Sequence, residues 1–198
     1  MSARPLPTAA LIVYVLALAL GLGVSSAFVA TSGEFPIGGV RVGPWKSWPQ
    51  TGSRDADPYA RTIMARRAEI PLATGEGLVL TATADSEGRT LDSGCTYRVG
   101  TVTPQARLWT LTLYDRDGGL VTSELERSGF TSAEILRGPD GAFTVVLSRE
   151  LQPGNWLKLP SAGPFTLTLR LYDTPAALGT GAVEVRSLPT IERIECGA

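Results

Sequence analysis

The chain has 198 residues, 43% hydrophobic and 19% charged, a balance that suits one folded domain with a real core plus an appendage. Eighteen Lys and Arg against 19 Asp and Glu leave a formal charge of -1, which offers no basic field to a phosphate backbone, so nucleic-acid binding is set aside. There is no His, which excludes a Ser/His/Asp triad, a Cys/His dyad, an HExxH zinc site and a histidine proton shuttle, and two Cys are too few for a four-thiolate centre; no metal or cofactor is expected.

From Ala9 to Ala30 no residue is charged, and about 20 apolar residues at about 1.5 Å each span the hydrocarbon core of a bilayer. Residues 1–30 are read as a transmembrane anchor. A cleavable signal peptide competes, because Ser25, Ser26 and Ala27 are small residues suited to a cleavage site. Arg4 precedes the span and Glu34 follows it closely, a bias toward an internal amino terminus that Arg41 and Lys46 weaken. The expected location is a bacterial inner membrane, single-pass, with the C-terminal domain in the periplasm. In that compartment Cys95 and Cys196 are expected to form a disulfide, two unrelated thiols being the alternative.

Residues 31–56 are rich in Gly, Pro and Ser and lack periodicity, so they are read as a linker. Its Trp45 and Trp48 either pack on the domain, lie at the bilayer interface or form a sugar-stacking platform. Asp57 then supplies an N-cap and Pro58 a first helical residue, which predicts a helix over Pro58 to Glu69. Its Arg61, Arg66 and Arg67 read as a solvated face in preference to a site for an anionic partner.

Beyond Gly77 the pattern turns to short β-branched or alternating stretches at 78–84, 95–102, 107–114, 119–124, 133–137, 142–148, 165–172 and 182–187. They predict an all-β fold over 57–198: an antiparallel, jelly-roll-like β-sandwich with one short preceding helix. In "RLWTLTLY", Trp109, Leu111 and Leu113 share one face and Thr110, Thr112 and Tyr114 the other; in "FTLTLRLY", Phe165, Leu167, Leu169 and Leu171 oppose Thr166, Thr168, Arg170 and Tyr172. Both are read as core strands. Arg170 in a Thr/Tyr face either pairs with a carboxylate or faces a ligand.

"DSEGRTLD" (85–92) and "YDRDGG" (114–119) place carboxylates two apart before Gly, a weak calcium signal without EF-hand spacing; tight turns are the preferred reading. Asp92, Asp115, Asp140, Glu150 and Asp173 stand near strand ends, where two of them across a cleft would suit a glycosidase. No GxSxG, SxxK or phosphate-binding glycine loop is present, and no catalytic residue is assigned. In "PGNWLKLPSAGPF" (153–165), Asn155, Trp156 and Lys158 form either a ligand loop or a plug whose Trp N–H bonds backbone. The candidate ligand residues are Asn155, Trp156, Arg170 and Tyr172.

The blocks "DPYARTIMARRAEIPL", "DSEGRTLDSGCTYRV", "RLWTLTLYDRDGGLV", "DGAFTVVLS" and "GNWLKLPSAGPFTLTLRLYD", in that order, resemble the family called domain of unknown function 1214, over about Asp57 to Asp173. The resemblance implies a jelly-roll sandwich and a companion envelope protein carrying domain of unknown function 1254, since this chain lacks that amino half and has an apolar span instead. It implies no catalytic residue; the matching positions are Trp109, Asn155, Trp156, Arg170 and Tyr172. The expected role is a membrane-anchored binding or interaction module of the cell envelope. The alternatives are a carbohydrate-binding or carbohydrate-cleaving protein built on Trp156, Arg170 and Asp173, and a purely structural envelope part.

Overall fold

A computed structural model describes residues 7–32, 39–100, 103–121, 123, 126–175 and 188–197. The chain divides into two compact units, residues 1–37 with 57–70, and residues 38–56 with 71–198.

The first unit holds two helices. Helix α1 (Thr8–Ser32) is 25 residues long, carries no charge and has no buried residue, so it is long and apolar enough to cross a membrane. Its few hydroxyls turn back on its own backbone: Ser26 donates to the Gly23 carbonyl, Thr31 to Ala27 and Ser32 to Phe28. Helix α2 (Pro58–Arg67) begins as the sequence predicts, with the Asp57 carboxylate accepting from the Tyr59 and Ala60 N–H groups. It stops two residues short of Glu69 because Ala68 turns left-handed (φ 53°). Expected as the first element of the β domain, α2 clusters instead with α1, to which Arg66 ties it.

The second unit is built from ten strands: β1 (Val40–Val42), β2 (Trp45–Ser47), β3 (Gly77–Ala82), β4 (Cys95–Gly100), β5 (Leu108–Tyr114), β6 (Gly129–Thr131), β7 (Thr144–Ser148), β8 (Asn155–Lys158), β9 (Thr166–Tyr172) and β10 (Thr190–Cys196). They form a six-stranded sheet, β1-β2-β3-β9-β5-β6, and a four-stranded sheet, β10-β4-β7-β8. The inward side chains of both sheets make one hydrophobic core. Tyr97 of β4 meets Phe165 edge-on at 5.6 Å, and Trp109 of β5 stacks on Phe143 at 4.7 Å.

The two Leu/Thr stretches are neighbours at the centre of the larger sheet. β5 and β9 pair antiparallel with Leu111 opposite Leu169, Leu113 opposite Leu167 and Trp109 opposite Leu171, all buried. Thr110 faces Arg170, and Thr112 faces Thr168, on the outer side. Side chains alternate strictly along a strand, so this register keeps the Leu and Trp side chains of these three pairs inward and leaves Leu108, at the start of β5, outward.

Four expectations need correction. The segment 31–56 is more than a linker: β1 and β2 form a hairpin that extends the six-stranded sheet, and Trp45 is fully buried with its indole N–H donating to the Pro189 carbonyl at 2.8 Å. Three-residue strands are too short to show a period, which is why the sequence conceals them. The domain is not wholly antiparallel, because β7 and β8 run parallel. The Asn155 side chain at the start of β8 donates to the Thr144 carbonyl at the start of β7. The expected strand 133–137 opens as a turn, with Glu134 accepting from the Thr131 N–H, and only Arg137 makes an isolated bridge, to Phe143; among the described part of 119–124 Leu120 makes only an isolated bridge to Tyr114. Finally, β6, β8 and β10 are strands that the pattern did not reveal; β10, at the edge of its sheet, carries Glu192 and Glu195 exposed, as edge strands often carry charge. The predicted strand 182–187 lies outside the described residues.

The disulfide expected between Cys95 and Cys196 is present and joins residues directly opposite each other in β4 and β10.

Candidate functional site

The outer face of the six-stranded sheet carries hydroxyls and cations. One cross-strand row reads Val79, Arg170, Thr110, Thr131, and the next reads Thr81, Thr168, Thr112, Gly129. Lys46 continues the second row through Thr81, and Arg41 continues it through Lys46. No carboxylate occupies a strand position in these rows. Among the described residues no carboxylate pairs with Arg170; it donates to the Tyr114 hydroxyl at 3.1 Å and lies 5.8 Å from that ring's centre. Tyr172 stands on the same face, opposite Gly77 and Leu108.

A concavity of about 400 Å³ opens at the β5–β6 edge of this face, lined by Thr110, Thr112, Ser128, Thr131, Arg127 and Glu134 among others. Arg127 pairs with Glu134 at 3.8 Å and covers the Phe130 ring at 4.6 Å. Arg127 and Glu134 were not legible as site residues, since they meet only when β6 folds back onto β5.

Asn155 and Trp156 lie on the other sheet. Asn155 is buried, accepts from the Leu136 N–H (2.8 Å) and donates to the Leu136 and Thr144 carbonyls (2.8 and 2.9 Å), so its amide knits the parallel strand pair. Trp156 points outward, half-buried, with its N–H donating to the Ser148 carbonyl at 3.2 Å. Because both sheets share one core, the Trp156 face and the Arg170 face are opposite sides of the domain. The four candidate residues therefore do not converge. A second concavity of about 430 Å³ beside Asn155 is lined by Leu136, Phe143, Val146 and Pro153, and the Asn155 amide is already engaged with backbone. Replacing Asn155 by Ala leaves buried backbone groups of Leu136 and Thr144 without partners and lowers stability by about 2–3 kcal/mol, while Trp156→Phe stays within about 1 kcal/mol; urea midpoints of the two variants distinguish these roles.

The stretch 114–119, one of the two with a weak calcium signal, is a tight turn. Asp115 accepts from the Asp117 and Gly119 N–H groups, and Gly118 adopts φ 82° between them. Asp92 and Asp140 likewise accept from Gly94 and Ala142, and Asp173 pairs with Arg107 at 3.4 Å, both side chains well exposed. Glu150 contributes its backbone carbonyl, which accepts from the Ser148 hydroxyl.

Asp85 differs. Its side chain is fully buried and accepts from the Glu87 N–H (3.0 Å), the Arg89 N–H (2.9 Å) and the Arg89 guanidinium (2.8 Å), with Arg193 of β10 at 3.3 Å. Burial pushes the carboxyl up, but the Arg89 guanidinium and the two N–H groups outweigh it, so the group sits below the ordinary 3.8. Arg193 also donates to the Thr90 carbonyl at 2.6 Å and lies 5.5 Å from the Tyr97 ring. This cluster fastens the 85–90 turn to the last strand and makes no opening for a ligand.

The fold and its surfaces therefore define a class: a two-sheet β domain following an apolar helix, with a polar outer sheet face. The family described as "Protein of unknown function (DUF1214)" matches residues 76–176, just over half of the sequence, and the chain belongs to it. Among solved structures, the VPA0106 protein from Vibrio parahaemolyticus is similar at 22% identity and a TM-score of 0.58, over 71% of this chain and 36% of that one. A putative uncharacterized protein from Burkholderia cenocepacia is similar at 20% identity and a TM-score of 0.42, over 65% of this chain and 32% of that one. The chain thus spans about a third of the length of those proteins, and the first likeness shows the fold alone. No curated protein matches.

Proposed function

We propose that α1 anchors the chain in a bacterial inner membrane and that the β domain stands in the periplasm as a binding or interaction module for another envelope protein. The observation that carries this reading is the Cys95–Cys196 disulfide downstream of an apolar helix, since disulfides persist in oxidising compartments and are rare in the cytosol. From β3 onward the chain crosses between the two sheets five times, which supports a jelly-roll-like winding from which the parallel β7–β8 pair departs.

The outer face of the six-stranded sheet is the surface offered. Its half-exposed Thr110 and Thr112 beside Arg170 suit a polar protein partner, and the companion implied by the family resemblance, a protein carrying domain of unknown function 1254, is the partner to test. In an in-cell cross-linking experiment on the full-length chain, that companion is recovered with the wild type and with Trp156→Ala, and its yield falls at least several-fold with Arg170→Glu. Recovery of the chain alone under every cross-linking condition overturns the reading.

The concavity at Thr110, Thr112 and Arg127 favours a second reading, a carbohydrate ligand held by hydroxyls and a cation. Glycan binding that disappears in Thr112→Val and persists in Trp156→Ala supports it; absence of binding across a broad panel removes it.

A further inference from the structure

We propose that α2 is an interfacial helix whose arginines hold the phosphate headgroups of the bilayer that α1 spans. The inference rests on the anchoring read above and adds a lipid-binding site to it. Pro58–Arg67 contains three arginines and no acidic residue, so its ten residues carry a local charge of +3 in a chain whose total is -1. Arg61, Arg66 and Arg67 are all exposed, as are Tyr59 and, beyond the helix, Ile70; Ala60, Ile63 and Met64 are buried, and Arg67 lies 3.8 Å from Glu69. Exposed Tyr and Ile beside Arg is the composition that membrane interfaces favour: the ring and the aliphatic chain enter the acyl boundary, and the guanidinium stays with the phosphates.

The contact between the two helices supplies the depth. Arg66 donates to the Thr31 hydroxyl at 2.7 Å, and its guanidinium lies 4.7 Å from the centre of the Phe28 ring. At about 1.5 Å per residue, α1 runs about 37 Å, against a hydrocarbon core of about 30 Å, so its last turn emerges at headgroup level. Arg66 is bound to that turn. Arginines at the carboxyl end of a helix also offset its dipole, which accounts for Arg66 and Arg67 being on α2 but not for Arg66 being held against Phe28 and Thr31. Phosphate is the matching ligand because a guanidinium fork bonds two of its oxygens at once.

The test uses the full-length chain in vesicles of phosphatidylcholine with phosphatidylglycerol. A nitroxide is attached through Ala65→Cys, an exposed position beside Arg66, or through Arg116→Cys in the β5–Leu120 turn as a reference. Carbonate extraction reports separately whether α1 is inserted. The expected result is an inserted protein whose residue-65 label is several-fold less accessible to an aqueous nickel chelate than the residue-116 label. That protection is lost when Arg61, Arg66 and Arg67 are all replaced by Gln, with insertion unchanged. An inserted protein with both labels equally open to the chelate overturns the lipid site and leaves the anchor standing. Protection unchanged in the triple Gln variant overturns the role of the arginines. Release of the chain by carbonate removes the anchor and this inference with it.

Discussion

Replacing Asp85 by Asn lowers the stability of the β domain by about 3 kcal/mol, enough to move the melting temperature by about 10 °C. The side chain is wholly buried between Arg89 and Arg193, and the amide that replaces one oxygen can only present donors to guanidinium donors. The cost stays near the low end for a broken buried pair because Arg89 keeps 44% of its side-chain surface in water. The pH dependence follows from the direction of the shift. A carboxyl whose folded-state pKa is below its unfolded value of about 3.9 contributes stability above that value, and the contribution is lost as pH falls through the folded-state pKa. Urea midpoints of wild type and Asp85→Asn therefore differ fully at pH 6 and converge only below about pH 4. A constant difference down to pH 2 would show that Asp85 acts through turn geometry alone.

Breaking the Cys95–Cys196 bond has a larger effect. The cross-link closes a loop of 101 residues, and in the chain-entropy account a loop of that size stabilises the folded state by about 4–5 kcal/mol. Cys196→Ser, or treatment of the wild type with a dithiol, is expected to lower the urea midpoint accordingly. The loss should appear first at β10 and its partner β4, whose amides exchange faster with solvent, while the β5–β9 pair at the centre of the other sheet keeps its protection. If β10 and β5 lose protection together, the bond supports the domain as a whole. Both perturbations act on the same strand from opposite ends of its contacts: Arg193 reaches Asp85, and Cys196 reaches Cys95. A variant lacking both tethers therefore loses less than the sum of the two, because once β10 has left, its second tether has nothing to hold.

The candidate site was less legible than the fold. Arg170 stood out because a guanidinium in a Thr/Tyr face needs a partner, and the partner, Tyr114, lies 56 positions away on β5. Asn155 and Trp156 stood out for their flanking turn residues, and both prove to serve the joining of β8 to β7. Nothing near Arg127 or Glu134 marks them as lining a concavity, since that depends on how the short β6 folds back along β5.

What the amino-acid order settled on its own was whatever depends on near neighbours. The uncharged run of α1, the Asp57 cap of α2, the Asp115 turn and the strict Leu/Thr alternation of β5 and β9 all follow from hydrogen bonds or side-chain periods within a few residues. Tertiary structure alone decided which strands are neighbours, that residues 40–47 join the sheet, that β8 runs parallel to β7, and that Arg170 and Trp156 face opposite ways. Those outcomes depend on groups tens of residues apart, such as Asp85 with Arg193 and Trp45 with Pro189, whose meeting leaves no periodic trace along the chain because it is chosen by the packing of one shared core.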